Sequence, residues 1–254
     1  LSCVLVAAGL VVARRAPSWR LVVVFLSLVA SFRYMLYRGT ETLSWHSTGD
    51  TVVSLMLYGA EIYALVTLVG GYFQTAITRR NSPPEITIPD SQLPTVDVFI
   101  PTYNEELDVL GPTVLGAMAI DYPHKKIWVL DDGKRPEVEA MARRLGVGYL
   151  TRPDNRGAKA GNINAALERT SGDLVAFFDA DHVPVQGFLR LTVGFFLKNS
   201  NLSLVQTPHH FYDPDPFLRN LHMEGRVPPE QHLFYHGIQL GNDFWNSAFF
   251  CGSC

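Results

Sequence analysis

The chain has 254 residues, a net charge of −3 and 47% hydrophobic residues. That is room for one domain of up to about 200 residues and a smaller neighbour. The charge balance excludes a nucleic-acid partner held by charge alone, and three cysteines, an odd and sparse number, do not make a disulfide framework.

The apolar residues are unevenly spread. Residues 1–80 are strongly apolar, whereas residues 81–254 read as a mixed α/β region. Leu21 to Met35 and Val52 to Phe73 are apolar runs close to the roughly 20 residues that cross a bilayer as a helix. Leu1 to Ala13 reads as the end of a third span, and the expectation is a fragment of a longer multi-pass protein. No basic leader precedes it, so it does not read as a signal peptide. Arg14, Arg15 and Arg20 on one side of a span match Arg79 and Arg80 on the same side after two further crossings. The loop between holds only Arg38, with Arg33 at its edge, so the positive-inside rule predicts a cytoplasmic domain after Arg80. Glu61 within a span either hydrogen-bonds a neighbouring helix or belongs to a pathway.

Residues 81–95 carry Pro83, Pro84, Pro89 and Pro94 and read as an extended linker. A strand follows over 96–101, then the loop Thr102-Tyr103-Asn104-Glu105 and a helix over 106–119. The next strand, 126–130, ends in Asp131-Asp132-Gly133. A helix over 135–145, a short strand over 147–150 and a helix over 158–168 come next. The run from Asp173 to His182 then reads as a buried parallel strand that ends in Asp179 and Asp181. A helix over 186–197 and a strand over 202–206 complete the alternation. Alternating β and α elements with connections of helical length predict a mostly parallel sheet with helices on both faces.

Two carboxylates two residues apart on a strand share a face and can approach one hard cation, Mg²⁺ or Mn²⁺, which in turn can hold a diphosphate. The pattern alone equally describes a turn with two solvated aspartates. Convergence favours the first reading. Thr102 to Glu105, Asp131-Asp132 and Asp179 to His182 all stand at strand ends, and the carboxyl edge of a parallel sheet is where ligands bind. There is no dinucleotide fingerprint after the first strand, and no P-loop. Asp131 or Asp132 suits a base N–H such as uracil offers. Lys159, at a helix start, either faces the diphosphate or is a solvated lysine.

At these residues the chain resembles the inverting, processive family 2 glycosyltransferases, and among them the family of bacterial cellulose synthase catalytic subunits. The matching stretches are VDVFIPTYNE (96–105), LDDG (130–133), KAGN (159–162), FDADH (178–182), VQTPHHF (205–211), DPDPF (213–217) and FFCGS (249–253). The resemblance implies a GT-A fold over 96–254, UDP-glucose as donor and a divalent metal. It assigns the donor to Thr102, Tyr103, Glu105, Asp131, Asp132, Lys159 and His182, and the metal and diphosphate to Asp179 and Asp181. The growing β-glucan would lie near Phe249, Phe250, Cys251, Gly252 and Ser253. It further implies a bacterial inner-membrane location and a periplasmic or membrane partner subunit. The family's T-E-D base and Q-x-x-R-W motif do not occur in the chain. They are expected beyond Cys254, so residues 1–254 alone are expected to bind UDP weakly and make no polymer. Chitin, hyaluronan or curdlan synthesis, and a membrane-tethered nucleotide-binding module without catalysis, are the alternatives.

Other stretches stay open on sequence alone. His209 and His210 are neighbours that would point to opposite faces of an extended chain, which disfavours a shared metal. Cys251 and Cys254 form a lone C-x-x-C, either redox-active or ordinary thiols. Asp213 to Pro216 reads as a rigid turn. The aromatics between Phe234 and Phe250 suit either a sugar platform or packing.

Overall fold

The structure is a computed structural model, and it describes residues 19–76, 81–212, 216–223, 225–227 and 229–252. The expected span over 1–13, and Arg14, Arg15, Arg79 and Arg80 that set its orientation, lie outside the described residues. The chain forms two compact units. One comprises residues 1–80 with Pro208–Ala248, the other Asn81–Thr207 with Phe249–Cys254. Residues 208–248 thus group with residues 1–80.

In the first unit, α1 (Arg20–Glu41) and α2 (Thr48–Ala76) have 22 and 29 residues. At 1.5 Å per residue they are about 33 and 44 Å long. Both are long and apolar enough to cross a membrane. Phe25, Leu36 and Met56 stand well exposed on their outer faces. Ser47 caps α2, accepting from the Asp50 N–H at 3.1 Å and donating to the Asp50 carboxylate at 2.7 Å. Glu61 accepts from Arg38 Nε at 2.9 Å and Tyr34 Oη at 3.0 Å, which decides for a bond to the neighbouring helix. Tyr72 Oη donates to Ser27 Oγ at 2.8 Å.

The later part of this unit holds α7 (Pro216–Asn220) and α8 (Glu230–Leu233), which runs through a π-helical turn (Phe234–Ile238) into α9 (Gln239–Phe244). Aromatic and small residues dock α9 on α2. Trp245 stacks on Phe73 with centroids 4.5 Å apart. Gly241 lies so close to Gln74 that a Cβ there would sit 2.0 Å from its carbonyl oxygen. Trp245 thus packs one face on Phe73 while remaining 43% exposed. His209 contacts Tyr235 Oη at 2.8 Å, and no cluster of metal-ligating side chains occurs among the described residues.

The second unit is built on a four-stranded sheet, order β3-β2-β1-β4, with every pairing parallel. The strands are β1 (Val96–Thr102), β2 (Lys125–Asp131), β3 (Gly148–Leu150) and β4 (Leu174–Phe177). The helices are α3 (Leu107–Met118), α4 (Pro136–Leu145), α5 (Ala158–Leu167) and α6 (Phe188–Lys198). Period-two alternation sends Val98 and Ile100 to one core with Leu110, Val114, Val138 and Val193, and Phe99 to the other with Leu130, Ile163 and Ala166. That two-sided burial is why Val98 to Pro101 is apolar without a break. Proline at the start of α4 and left-handed Gly146 (φ 71°) at its end set its length.

Three expectations change here. Residues 202–206 form no strand. Their alternating Leu202 and Leu204 are half-buried without joining a ladder, so side-chain burial satisfies a pattern that otherwise signals pairing. β4 is shorter than the apolar run that predicted it. At its start the Asp173 carboxylate accepts from Thr95 N and Oγ1 at 2.8 and 2.7 Å, and at its end the chain turns. Residues 81–95 are largely extended but not a free linker. Ile86 and Ile88 pack on the core, Leu93 is buried, and Asp90, in a short 3₁₀ turn, pairs with Arg190 at 2.7 Å.

Candidate active site

Register sets the site. Thr102 pairs with Asp131, so β1 and β2 end flush. At that edge a cleft of about 340 Å³ is lined by Thr102, Tyr103, Glu105, Asp132, Lys159 and Asp179, with Asn155 and Asn162 beside them. A larger hollow of about 490 Å³ at the amino ends of β2 and β3, lined by Lys125, Trp128 and Gly148 among others, contains no carboxylate.

The loop after β1 folds on its own glutamate. Glu105 accepts from Thr102 Oγ1 at 2.7 Å and from the Tyr103 N–H at 2.8 Å. Burial pushes its carboxyl up, but the hydrogen bonds from Tyr103, Thr102 and the N–H groups of residues 104–105 outweigh it and hold the pKa below the ordinary value.

The neighbouring aspartates of LDDG part company. Asp131 is fully buried. Its oxygens accept from Gly133 N at 3.0 Å, Arg135 N at 2.7 Å, Arg135 Nε at 3.3 Å and Tyr149 Oη at 3.0 Å. It frames the turn and does not line the cleft. Asp132 does line it, held by Arg152 through two bonds of 2.7 Å. Arg152 also donates to the carbonyls of Arg156 and Ala158, which ties Asp132 to the entry of α5. That entry is unusual backbone: Gly157 and Ala158 are both left-handed, at φ 75° and 46°. A Cβ on Gly161 would sit 2.0 Å from the Arg156 carbonyl oxygen, so only glycine lets the helix start so close to the loop. The first turn of α5 brings Ala158, Lys159 and Asn162 to the cleft, and its N–H groups favour an anion there.

Asp179 and Asp181 are not on a strand. The Phe178 N–H continues the ladder to Phe99 O at 3.0 Å, and then residues 179–182 turn, with the His182 N–H on Asp179 O at 2.9 Å. Thr113 of α3 anchors this turn through Ala180 O at 2.8 Å. The shared-face argument from strand geometry therefore does not apply, and of Asp179, Asp181 and His182 only Asp179 lines the cleft. The two carboxylates flank the His182 ring, Asp179 Oδ2 at 3.7 Å from Nδ1 and Asp181 Oδ1 at 3.8 Å from Nε2. Asp179 is two-thirds covered and Asp181 largely exposed. Lys159 Nζ bonds Asp179 Oδ1 and the Gly252 carbonyl.

The donor set suits a hard dication. Such ions take one or two carboxylates and leave other positions to water and substrate phosphates. Two reachable carboxylates in one turn beside a lysine meet that need, and no complete protein cage of three or more ligands occurs among the described residues.

Phe249 to Gly252 reach the same edge. The Cys251 N–H donates to Gln206 Oε1 at 2.8 Å, and Phe250 meets Phe177 edge-on at 5.7 Å. Gly252 (φ 94°) lies where a Cβ would be 3.9 Å from Asp179 Oδ2. Ser253 and Cys254 lie outside the described residues.

The profile of Glycosyl transferase family 2 matches residues 97–254. The chain belongs to this family. Its α/β architecture, a parallel sheet flanked by helices, agrees with the GT-A-like family 2 fold. The glycosyltransferase is 51% identical over 231 residues to the UDP-forming cellulose synthase catalytic subunit of Xanthomonas axonopodis pv. citri (strain 306), a match covering 90% of this chain and 32% of that protein. It is 49% identical over 231 residues to cellulose synthase 2 of Novacetimonas hansenii, covering 90% of this chain and 14% of that one. The chain thus spans a third or less of these curated relatives. Among solved structures it is similar to glucosyl-3-phosphoglycerate synthase from Mycobacterium tuberculosis in complex with UDP, with a TM-score of 0.41 and 22% identity over 65% of this chain and 74% of that one.

Sequence reasoning missed Arg135, Arg152 and Asn155. The two arginines stand a few residues past strand ends, in segments read only as helix start and loop, and nothing in the order of residues names their carboxylate partners. Asn162 sits inside the KAGN stretch, where its amide donates to Leu130 O at 2.8 Å.

Proposed function

We propose that this glycosyltransferase supplies the donor site of a processive, inverting cellulose synthase that takes UDP-glucose at the cytoplasmic face of a bacterial inner membrane. One observation carries the reading: groups from three strand ends and the start of α5 converge on a single cleft that offers carboxylates, a lysine and a helix N-terminus. Identity of 49 to 51% to cellulose synthases supports the choice of product.

In this reading the uridine lies against Thr102, Tyr103, Glu105 and Asp132. Asp179 and Asp181 hold Mg²⁺ or Mn²⁺ beside His182, and Lys159 faces the diphosphate. A bound divalent ion would supply charge neutralisation for the departing UDP. The wall of the cleft orients the donor so that its anomeric carbon faces residues 249–252, where an acceptor hydroxyl can attack from the opposite side and invert the configuration. In this reading the proton of that hydroxyl goes to the aspartate of a T-E-D motif, which residues 1–254 do not contain. α1 and α2 anchor the enzyme in the bilayer, and the glucan and a membrane partner subunit complete the assembly.

The test is calorimetric titration of UDP into the full-length protein with Mn²⁺ present. Asp179→Asn is expected to weaken binding about 10- to 100-fold, the size of one charge-assisted interaction. UDP affinity indifferent both to this change and to EDTA would sink the site. Radiolabelled UDP-glucose should yield a polymer digested by a β-1,4-glucanase. Product released only by a chitinase, hyaluronidase or β-1,3-glucanase would move the reading to the corresponding polysaccharide.

A further inference from the structure

Arg135 opens α4 with a side chain one-sixth exposed, and among the described residues it contributes no wall to the cleft. Each of its side-chain nitrogens is nevertheless engaged. Nε donates to Asp131 Oδ1 at 3.3 Å, Nη2 to Thr102 Oγ1 at 2.7 Å, and Nη1 to the Glu105 carbonyl. Thr102 Oγ1 in turn donates a hydrogen bond to Glu105 Oε2, which also accepts from the Tyr103 N–H. One planar guanidinium therefore links the end of β2 to Thr102 and Glu105, the two ends of the loop after β1. The loop is held from the other side as well: the Asp132 N–H bonds Thr102 O at 3.0 Å, and a Cβ on Gly133 would sit 2.2 Å from Tyr103 O.

We infer that Arg135 is a positioning residue for the nucleotide: it fixes Thr102, Tyr103 and Glu105 as the rigid floor on which the uridine rests. The inference rests on the donor-site reading above. Three acceptors in fixed directions require the fork of an arginine, since a lysine ammonium is a point charge that reaches one or two of them. The free energy it contributes is the preorganisation of the loop, so its removal acts on donor affinity and leaves the chemistry of transfer alone.

The experiment uses the full-length protein in detergent, with UDP as titrant and UDP-glucose turnover measured in parallel. Arg135→Lys, which keeps the charge beside buried Asp131, is expected to raise the UDP dissociation constant and the KM for UDP-glucose about 10- to 100-fold. The same variant should leave kcat within about a factor of three. In Arg135→Gly, added guanidinium ion should restore UDP affinity and ammonium should not. Thr102→Val and Arg135→Lys should lose less together than the product of their separate losses. Wild-type UDP affinity in Arg135→Lys, or a fall in kcat with KM unmoved, overturns the inference while leaving the donor site standing. Failure of the wild-type protein to bind UDP overturns both.

Discussion

Asp131 and Asp132 are chemically identical neighbours with opposite duties, and the difference is which way the last residue of β2 faces. Asp131 points inward, with no exposed surface and four donors on its two oxygens. Asp131→Asn would replace an acceptor with an NH₂ group facing those donors and leave Arg135 without its counter-ion. It is expected to cost about 3–5 kcal/mol of stability, read by thermal unfolding in detergent. Tyr149 marks the same pocket in its titration. Burial first, then its hydrogen bond to Asp131, push the phenol pKa above the ordinary value of 10. The folded state thus holds the proton more tightly than the unfolded one. This contribution is complete below pH 10 and is lost as pH rises through the folded value. Tyr149→Phe should flatten the alkaline limb of the stability profile and leave its neutral and acid parts unchanged in slope. An alkaline limb of the same steepness in both proteins would deny Tyr149 this role.

At the scale of elements, the paired helices α1 and α2 show what polar groups do between long apolar segments. Arg38, Tyr34 and Glu61 close on one another across the hairpin. Glu61→Leu, which strands Arg38, is expected to destabilise the hairpin by about 3–5 kcal/mol. Loss of helix pairing in detergent, followed by a crosslink between the two helices, would report it. An unchanged crosslinking yield would show that packing alone holds them. These helices, and the strands β1 and β2, were legible because each is an apolar run with a turn signal at its end. The carboxyl edge was legible for the same reason: polar residues that follow apolar runs mark where a parallel sheet ends. Other features depended on tertiary partners. Leu202 to Gln206 alternates like a strand yet has no ladder to join. Asp179 and Asp181 stand in a turn on either side of the His182 ring rather than along a strand face. Nothing local to LDDG says that one aspartate frames the site while the other lines it, and the pairing of Arg152 with Asp132 spans a whole helix and strand.

Taken whole, the sheet unit is made of two pieces of chain, Asn81–Thr207 and Phe249–Cys254, with Pro208–Ala248 belonging to the other unit. The pieces are joined where Cys251 meets Gln206 and Phe250 meets Phe177. Replacing 208–248 by a flexible bridge of about eight residues should therefore leave the sheet unit with its cooperative melt, since closing so short a loop is entropically cheap. Circular dichroism on such an 81–254 chain gives the answer. A broad, non-cooperative transition would show that the excised segment supplies part of the sheet unit's core.

Because the polypeptide departs at Gln206 and comes home at Cys251, the excursion hangs from a single doorway in the sheet unit. Segments hung this way can be lengthened, trimmed or exchanged without rethreading the body they leave. The sheet unit can then tolerate change in residues 208–248 over generations while Gln206 and Cys251 stay joined.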